Sequence, residues 1–193
     1  MADLPRHRCM VYDGSSRRHH RSISLMIQDR LVEDYRCVYL NSEAMLEEFQ
    51  SSLVEARVDV EAEVQRGSLI LSSERPHLVN GQFEIDVMLE RLNTELHRAS
   101  NDGYAGLWAT GDMTWEMGAD QDVMKLLKYE WELEQFIHSH PQFSGVCQYN
   151  RNTLPKGLVE QAVGRHQSVF INETLSILNA KFTPMESAFG RER

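Results

Sequence analysis

The chain has 193 residues, a length that fits one domain built around a single core. With 41% hydrophobic and 25% charged residues, and no apolar run near the roughly 18 residues a membrane span needs, it reads as a soluble globular protein without a membrane partner. Its formal net charge of −9 argues against direct nucleic-acid binding, because phosphate contacts need a concentrated positive field.

The N-terminal MADLPRHRCMVYDG lacks the apolar core of a signal peptide, which predicts a cytoplasmic protein. Arg6, Arg8, Arg17, Arg18 and Arg21 crowd this region, as a solvated face or a small anion site. RCMVY (8–12) is a first short apolar run, and Ile23, Met26, Ile27, Leu31 and Tyr35 then recur at helical spacing. RCVYL (36–40) is a second strand, followed by a helix with Leu46, Phe49 and Leu53 on its apolar face. A short helical piece around Val60 and Val64 stops at Gly67, where a residue without a β-carbon can take the left-handed cap.

SLILS (68–72) is a third strand. SERPHLVNGQFE is a long connection with Pro76 and an Asn80-Gly81 turn, before an amphipathic helix carrying Ile85, Met88, Leu89, Leu92, Leu96 and Ala99. GYAGLWATG is strand four, with GDMTWEMGAD as the loop after it. A helix from about Gln121 to His138, a strand over 143–150, a helix with Pro155 at its first position and a strand over 168–172 complete the pattern. Strands alternating with helices predict an α/β fold, a mostly parallel sheet flanked by helices on both faces. The chain is read as one domain over 1–193, with a core of about 7–172 and a C-terminal tail at 173–193.

In such a sheet, ligands sit beyond the carboxyl ends of the strands. That rule selects Tyr12 to Arg18, Gly111 to Gly118 and Tyr149 to Leu154. The first of these stands where a phosphate loop would be, yet it has Gly14 alone and no lysine, so nucleotide hydrolysis is not expected.

The order HRCMVY, RCVYL, VDVEAEVQRGSLIL, NGQFEIDVML, GYAGLWATGDMTW and CQYNRNTLP resembles the MEDS domain, a sensory domain named for methanogens, methylotrophs and the dichloromethane regulator DcmR. The resemblance covers about His7 to Asn172, and GDMTW and CQYNRNTLP are its most specific pieces. It implies a RecA/KaiC-like three-layer sandwich that has lost its phosphate loop and senses small molecules such as hydrocarbon derivatives. It also implies a role in signal transduction and transcription regulation. Two departures stand out. MEDS domains commonly sit beside a DNA-binding or kinase output, for which this chain has no room, and Asn150 replaces the aspartate that more often follows the tyrosine of the CQYN motif.

Each candidate residue has a functional and an ordinary reading. His7 could bond a ligand or a backbone carbonyl. His7 and Cys9 share one side of a strand and Cys147 is placed on its neighbour, but the sequence offers no fourth ligand and no C-x-x-C pair, so no metal is assigned. Cys9, Cys37 and Cys147 are read as reduced, mostly buried thiols. Asp112 is either a site acid or a turn cap. Trp115 is a binding wall or a core plug, and Met113 and Met117 an adaptable lining or gap-fillers. Tyr12 and Tyr149 end strands at the same rim. HSHP (138–141) closes a helix and is read as structural.

No nucleophile with its base is recognisable, so an enzyme is not expected. The expected function is a non-catalytic sensory module that binds a small, mostly apolar molecule through His7, Tyr12, Asp112, Met113, Trp115 and Tyr149 around one cavity. It signals through protein contacts, with an output protein or a second copy of the chain in a homo-oligomer as partners, and requires no cofactor. The alternative is a degenerate RecA/KaiC-like nucleotide-binding protein.

Overall fold

The computed structural model describes residues 5–13, 16–114, 122–170 and 176–183, without the side chains of 16 and 17. The first strand is β1 (His7–Tyr12), followed by α1 (Ser16–Val32), β2 (Tyr35–Asn41), α2 (Glu43–Glu55), α3 (Val60–Arg66) and β3 (Leu69–Ser73). A short hairpin of β4 (Leu78–Val79) and β5 (Gln82–Phe83) leads into α4 (Ile85–Asn101). Then come β6 (Gly106–Asp112), α5 (Val123–Ser139), β7 (Phe143–Asn150), α6 (Lys156–Val163), β8 (Ser168–Phe170) and β9 (Ser176–Leu178).

The main sheet has seven strands in the order β3-β2-β6-β7-β1-β8-β9, parallel throughout except for the antiparallel β8–β9 edge. Because successive strand residues point to opposite faces, the register divides the side chains by parity. Cys9 of β1, Val38 and Leu40 of β2, Leu107 and Ala109 of β6 and Cys147 and Tyr149 of β7 join a core with α4, α5 and α6. Met10, Cys37, Tyr39, Trp108 and Val146 join the other core, with Ile23, Met26 and Ile27 of α1 and Phe49 and Leu53 of α2. Helices on both faces of the sheet make three layers, as the alternation of elements predicts.

Local chemistry explains most boundaries. Asp59 Oδ1 accepts from Ala62 N to cap α3, which ends on Gly67 at φ +76, the left-handed cap expected there. Asn80 and Gly81, both at positive φ, close the β4–β5 hairpin in the geometry such two-residue turns require. Three expectations need correction. Tyr35 opens β2 rather than closing the first helix, because Asp34 takes φ +59 and breaks the helical path. Pro155 caps α6 with extended ψ of 137° instead of occupying its first turn. The tail contributes β9, whose exposed Ile177 and Leu178 carry no strand-like alternation.

Gly145 deserves its place by contact: a β-carbon there would meet the Ala109 carbonyl oxygen at 2.4 Å. It pairs with His7 of β1 and Ala109 of β6, so the centre of the sheet closes around it.

Candidate functional site

At the carboxyl rim the polar side chains are largely spent on one another. Tyr12 donates its hydroxyl to Asp112 Oδ2, and Asp112 Oδ1 accepts from Thr114 N at 2.8 Å, the turn-capping bond of the ordinary reading. The His19 ring stacks on Tyr12 at 3.7 Å, and its Nε2 lies 2.6 Å from Gln148 Oε1. Gln148 Nε2 donates to Thr110 Oγ1 at 2.6 Å, and that hydroxyl donates to Val146 O at 2.7 Å. Burial first, and the neighbouring His20 second, push His19 down to about 3, so its ring is neutral.

The opposite face holds a more unusual cluster. His7 Nε2, Glu130 of α5, Cys147 Sγ and His166, in the turn between α6 and β8, place one ligand-type atom each within 4.8 Å of the others, all buried. Glu130 Oε2 lies 3.3 Å from both His7 Nε2 and His166 Nε2, and Cys147 Sγ lies 3.4 Å from His7 Nε2. Each partner is held from behind. His7 Nδ1 meets Glu134 Oε2 at 2.7 Å, His166 Nδ1 donates to Ala162 O at 2.9 Å, and Glu130 Oε1 accepts from the Tyr149 hydroxyl.

Burial pulls His7 down, but the carboxylates of Glu130 and Glu134 outweigh it and carry the imidazole up to about 9. Burial and the charge on His7 together leave His166 down at about 4, despite Glu130. The donor set of two imidazoles, a carboxylate and a thiol is one that zinc accepts.

His7 and Cys147 also end an apolar cavity of about 30 Å³ between β6, β7, α4 and α5. Its walls include Leu40, Met88, Leu92, Ala109, Met113 and Leu133. This is space for roughly one or two waters, and its lining includes the adaptable side chains of Met88 and Met113.

The structure therefore separates the expected ligand residues. His7 and Met113 line the apolar cavity, and Tyr149 joins the cluster beside it through Glu130. Tyr12 and Asp112 sit on the other face, bonded to each other. Of the six residues expected around one cavity, the five that are described, His7, Tyr12, Asp112, Met113 and Tyr149, divide between the two faces, because His7 and Tyr12 differ in parity along one strand. Trp115 and Met117, together with Gly14, lie outside the described residues.

The four arginines with described side chains do not gather into one site: Arg6 donates to Ile137 O and His140 O, Arg8 covers the Phe170 ring, and Arg18 and Arg21 are exposed. The three cysteines are all buried and none is in a disulfide. Cys147 lies on the strand next to Cys9, in register with it, yet Cys9 Sγ turns to Ser168 O at 3.9 Å and stays outside the cluster.

Glu130 and His166 were not singled out from the sequence. Glu130 left a readable signal: Leu126, Glu130, Leu133 and Ile137 fall on one helical stripe, and an acid inside an apolar stripe needs a buried partner. His166, in a turn before a short strand, left none.

These features define a three-layer α/β domain whose described rim side chains bond to one another, with no phosphate-loop sequence after its first strand and a ligand-type cluster buried under one helical layer. Residues 6–167 match the model of the MEDS family, described as MEthanogen/methylotroph, DcmR Sensory domain, and the chain belongs to that family. No curated protein matches it. No helix among the described residues is long and apolar enough to cross a membrane.

Proposed function

We propose that this sensory domain detects a small, mostly apolar molecule in the chamber between the sheet and the α4–α5 layer and reports it through contacts with another protein. The observation that carries this reading is the cavity itself, apolar along Leu40, Met88, Leu92 and Leu133, with His7, Thr110, Tyr129 and Cys147 as the few polar side chains in its lining. Ligand pockets combine such an apolar wall with a few directed polar groups. Met88 and Met113 can swing to enlarge a chamber that now holds little more than water. The rim supports the same conclusion from the other side, since both oxygens of Asp112 are already engaged. On this reading the domain is a binding module rather than a catalyst.

The test is thermal. Halomethanes, short alcohols and other molecules of a few heavy atoms should raise the melting temperature of the wild-type protein, because a ligand preferring the folded state stabilises it by mass action. Ala109→Leu, which fills the chamber from β6, should remain folded and lose that response. Equal stabilisation of wild type and variant, or none of either by any such probe, would place the ligand elsewhere.

A further inference from the structure

The buried cluster raises a question that the apolar chamber does not answer: what lies between Glu130 Oε2 and His166 Nε2? The Nδ1–H of His166 is committed to Ala162 O, so Nε2 presents a lone pair. That lone pair faces a carboxylate oxygen at 3.3 Å with both residues fully buried; neither atom makes a hydrogen bond of normal geometry, and although His7 Nε2 also lies 3.3 Å from Glu130 Oε2, it leaves the His166 lone pair unanswered. Two acceptors do not rest against each other in a dry interior unless a cation joins them.

We propose that His7 Nε2, Glu130 Oε2, Cys147 Sγ and His166 Nε2 form a four-ligand zinc site. Zinc bonds of about 2.0 Å to nitrogen or oxygen and 2.3 Å to sulfur give tetrahedral ligand–ligand edges of roughly 3.3–3.7 Å. Three of the six ligand–ligand separations, 3.3, 3.3 and 3.4 Å, already have that length, and all six lie within 4.8 Å. The outer contacts are those a metal site needs: Glu134 orients His7, the Ala162 carbonyl orients His166, and the Tyr149 hydroxyl orients Glu130. Charge also balances. A dication with the Cys147 thiolate and the Glu130 carboxylate is neutral, and loading releases the thiol proton. The mixed nitrogen, oxygen and sulfur set suits zinc and disfavours magnesium or calcium, which take oxygen.

Cys147, His7 and Glu134 also stand in the order of nucleophile, base and orienting carboxylate. That arrangement leaves Glu130 and His166 unexplained, and Cys147 is only 4% exposed. The zinc assignment accounts for all of them, and it does not rest on the apolar-ligand reading.

The test is metal analysis of untagged, reduced protein, as isolated and after refolding with zinc or cobalt, since a buried site loads during folding. One equivalent of zinc per chain is expected. The cobalt form should show the visible bands of four-coordinate cobalt and a thiolate-to-cobalt charge-transfer band. Cys147→Ser should remove that band, His166→Gln and Glu134→Gln should weaken binding by at least about 10-fold, and Cys9→Ser should leave it unchanged. Glu134→Gln touches only the back of His7, so it keeps the test decisive if a ligand variant fails to fold. Refolded wild-type protein with native circular dichroism but below about a tenth of an equivalent of either metal would overturn the site. So would cobalt spectra unaltered by Cys147→Ser, or alkylation of native Cys147 that is rapid and indifferent to zinc.

Discussion

His19 shows how a single buried side chain contributes to the acid sensitivity of the fold. It is 4% exposed, stacked on Tyr12, and neutral because burial and His20 hold it down at about 3. In the unfolded chain a histidine takes up its proton near 6.5. The unfolded state therefore binds the extra proton first, and stability is lost as pH falls from about 6.5 toward 3. At pH 4.5 this one group should cost on the order of 2 kcal/mol. Urea unfolding of wild type and His19→Gln from pH 7 to 4.5 tests it: the variant should be weaker at pH 7 yet have the shallower pH slope, and parallel slopes would remove His19 from the account. The thiols give a second expectation. Cys9 and Cys37 are fully buried, burial pushes both well above the ordinary thiol range, and native labelling of each should be far slower than labelling in denaturant. At this scale the sequence was readable in part. The burial of the cysteines followed from their apolar neighbours, and the turn role of Asp112 was one of its two readings. The separation of His7 from Tyr12 was also legible, since five residues apart on a strand means opposite faces, and the rim rule obscured it.

Among the elements, β7 is the one on which both faces depend. Its odd positions supply Cys147 and Tyr149 to the buried cluster, and its even positions supply Gln148 to the rim network. Gly145 lets β1 and β6 close on it. Gly145→Ala would drive a methyl to 2.4 Å from the Ala109 carbonyl oxygen, a backbone atom that cannot swing aside. The expected cost is about 2 kcal/mol or more, seen as a lower urea midpoint with an unchanged slope; a midpoint equal to wild type would mean that β6 and β7 can separate freely. Long, periodic elements such as α4 and β7 were legible because their apolar residues repeat at 3.6 or 2.0. The β4–β5 strands were not, because two residues cannot show a period, although the Asn80-Gly81 turn joining them was plain. The start of α1 hid its burial for another reason: SRRHH reads as a wet surface, yet His19 and His20 are both buried against the rim.

For the whole molecule, the layer order followed from alternation alone, whereas the site did not, because it draws on His7, Glu130, Cys147 and His166, which only the register of β1 with β7 and the return of the chain after α6 bring together. The phosphate-loop position offers one glycine and no lysine, and the rim behind it is filled by Tyr12, His19 and Gln148. ATP and ADP with magnesium, at millimolar concentration, should therefore leave the melting temperature unchanged; a magnesium-dependent rise would restore the nucleotide-binding alternative. The central claim is that sensing takes place beneath α4 and α5 and not at the rim. Methyl NMR of the methionines tests it most directly, because Met88 and Met113 both face the chamber. Titration with a small apolar probe such as a halomethane should shift the Met88 and Met113 resonances first and saturably, leaving Met10 and Met26 of the opposite core in place. Saturable shifts at Met10 and Met26, with Met88 and Met113 unmoved, would contradict it.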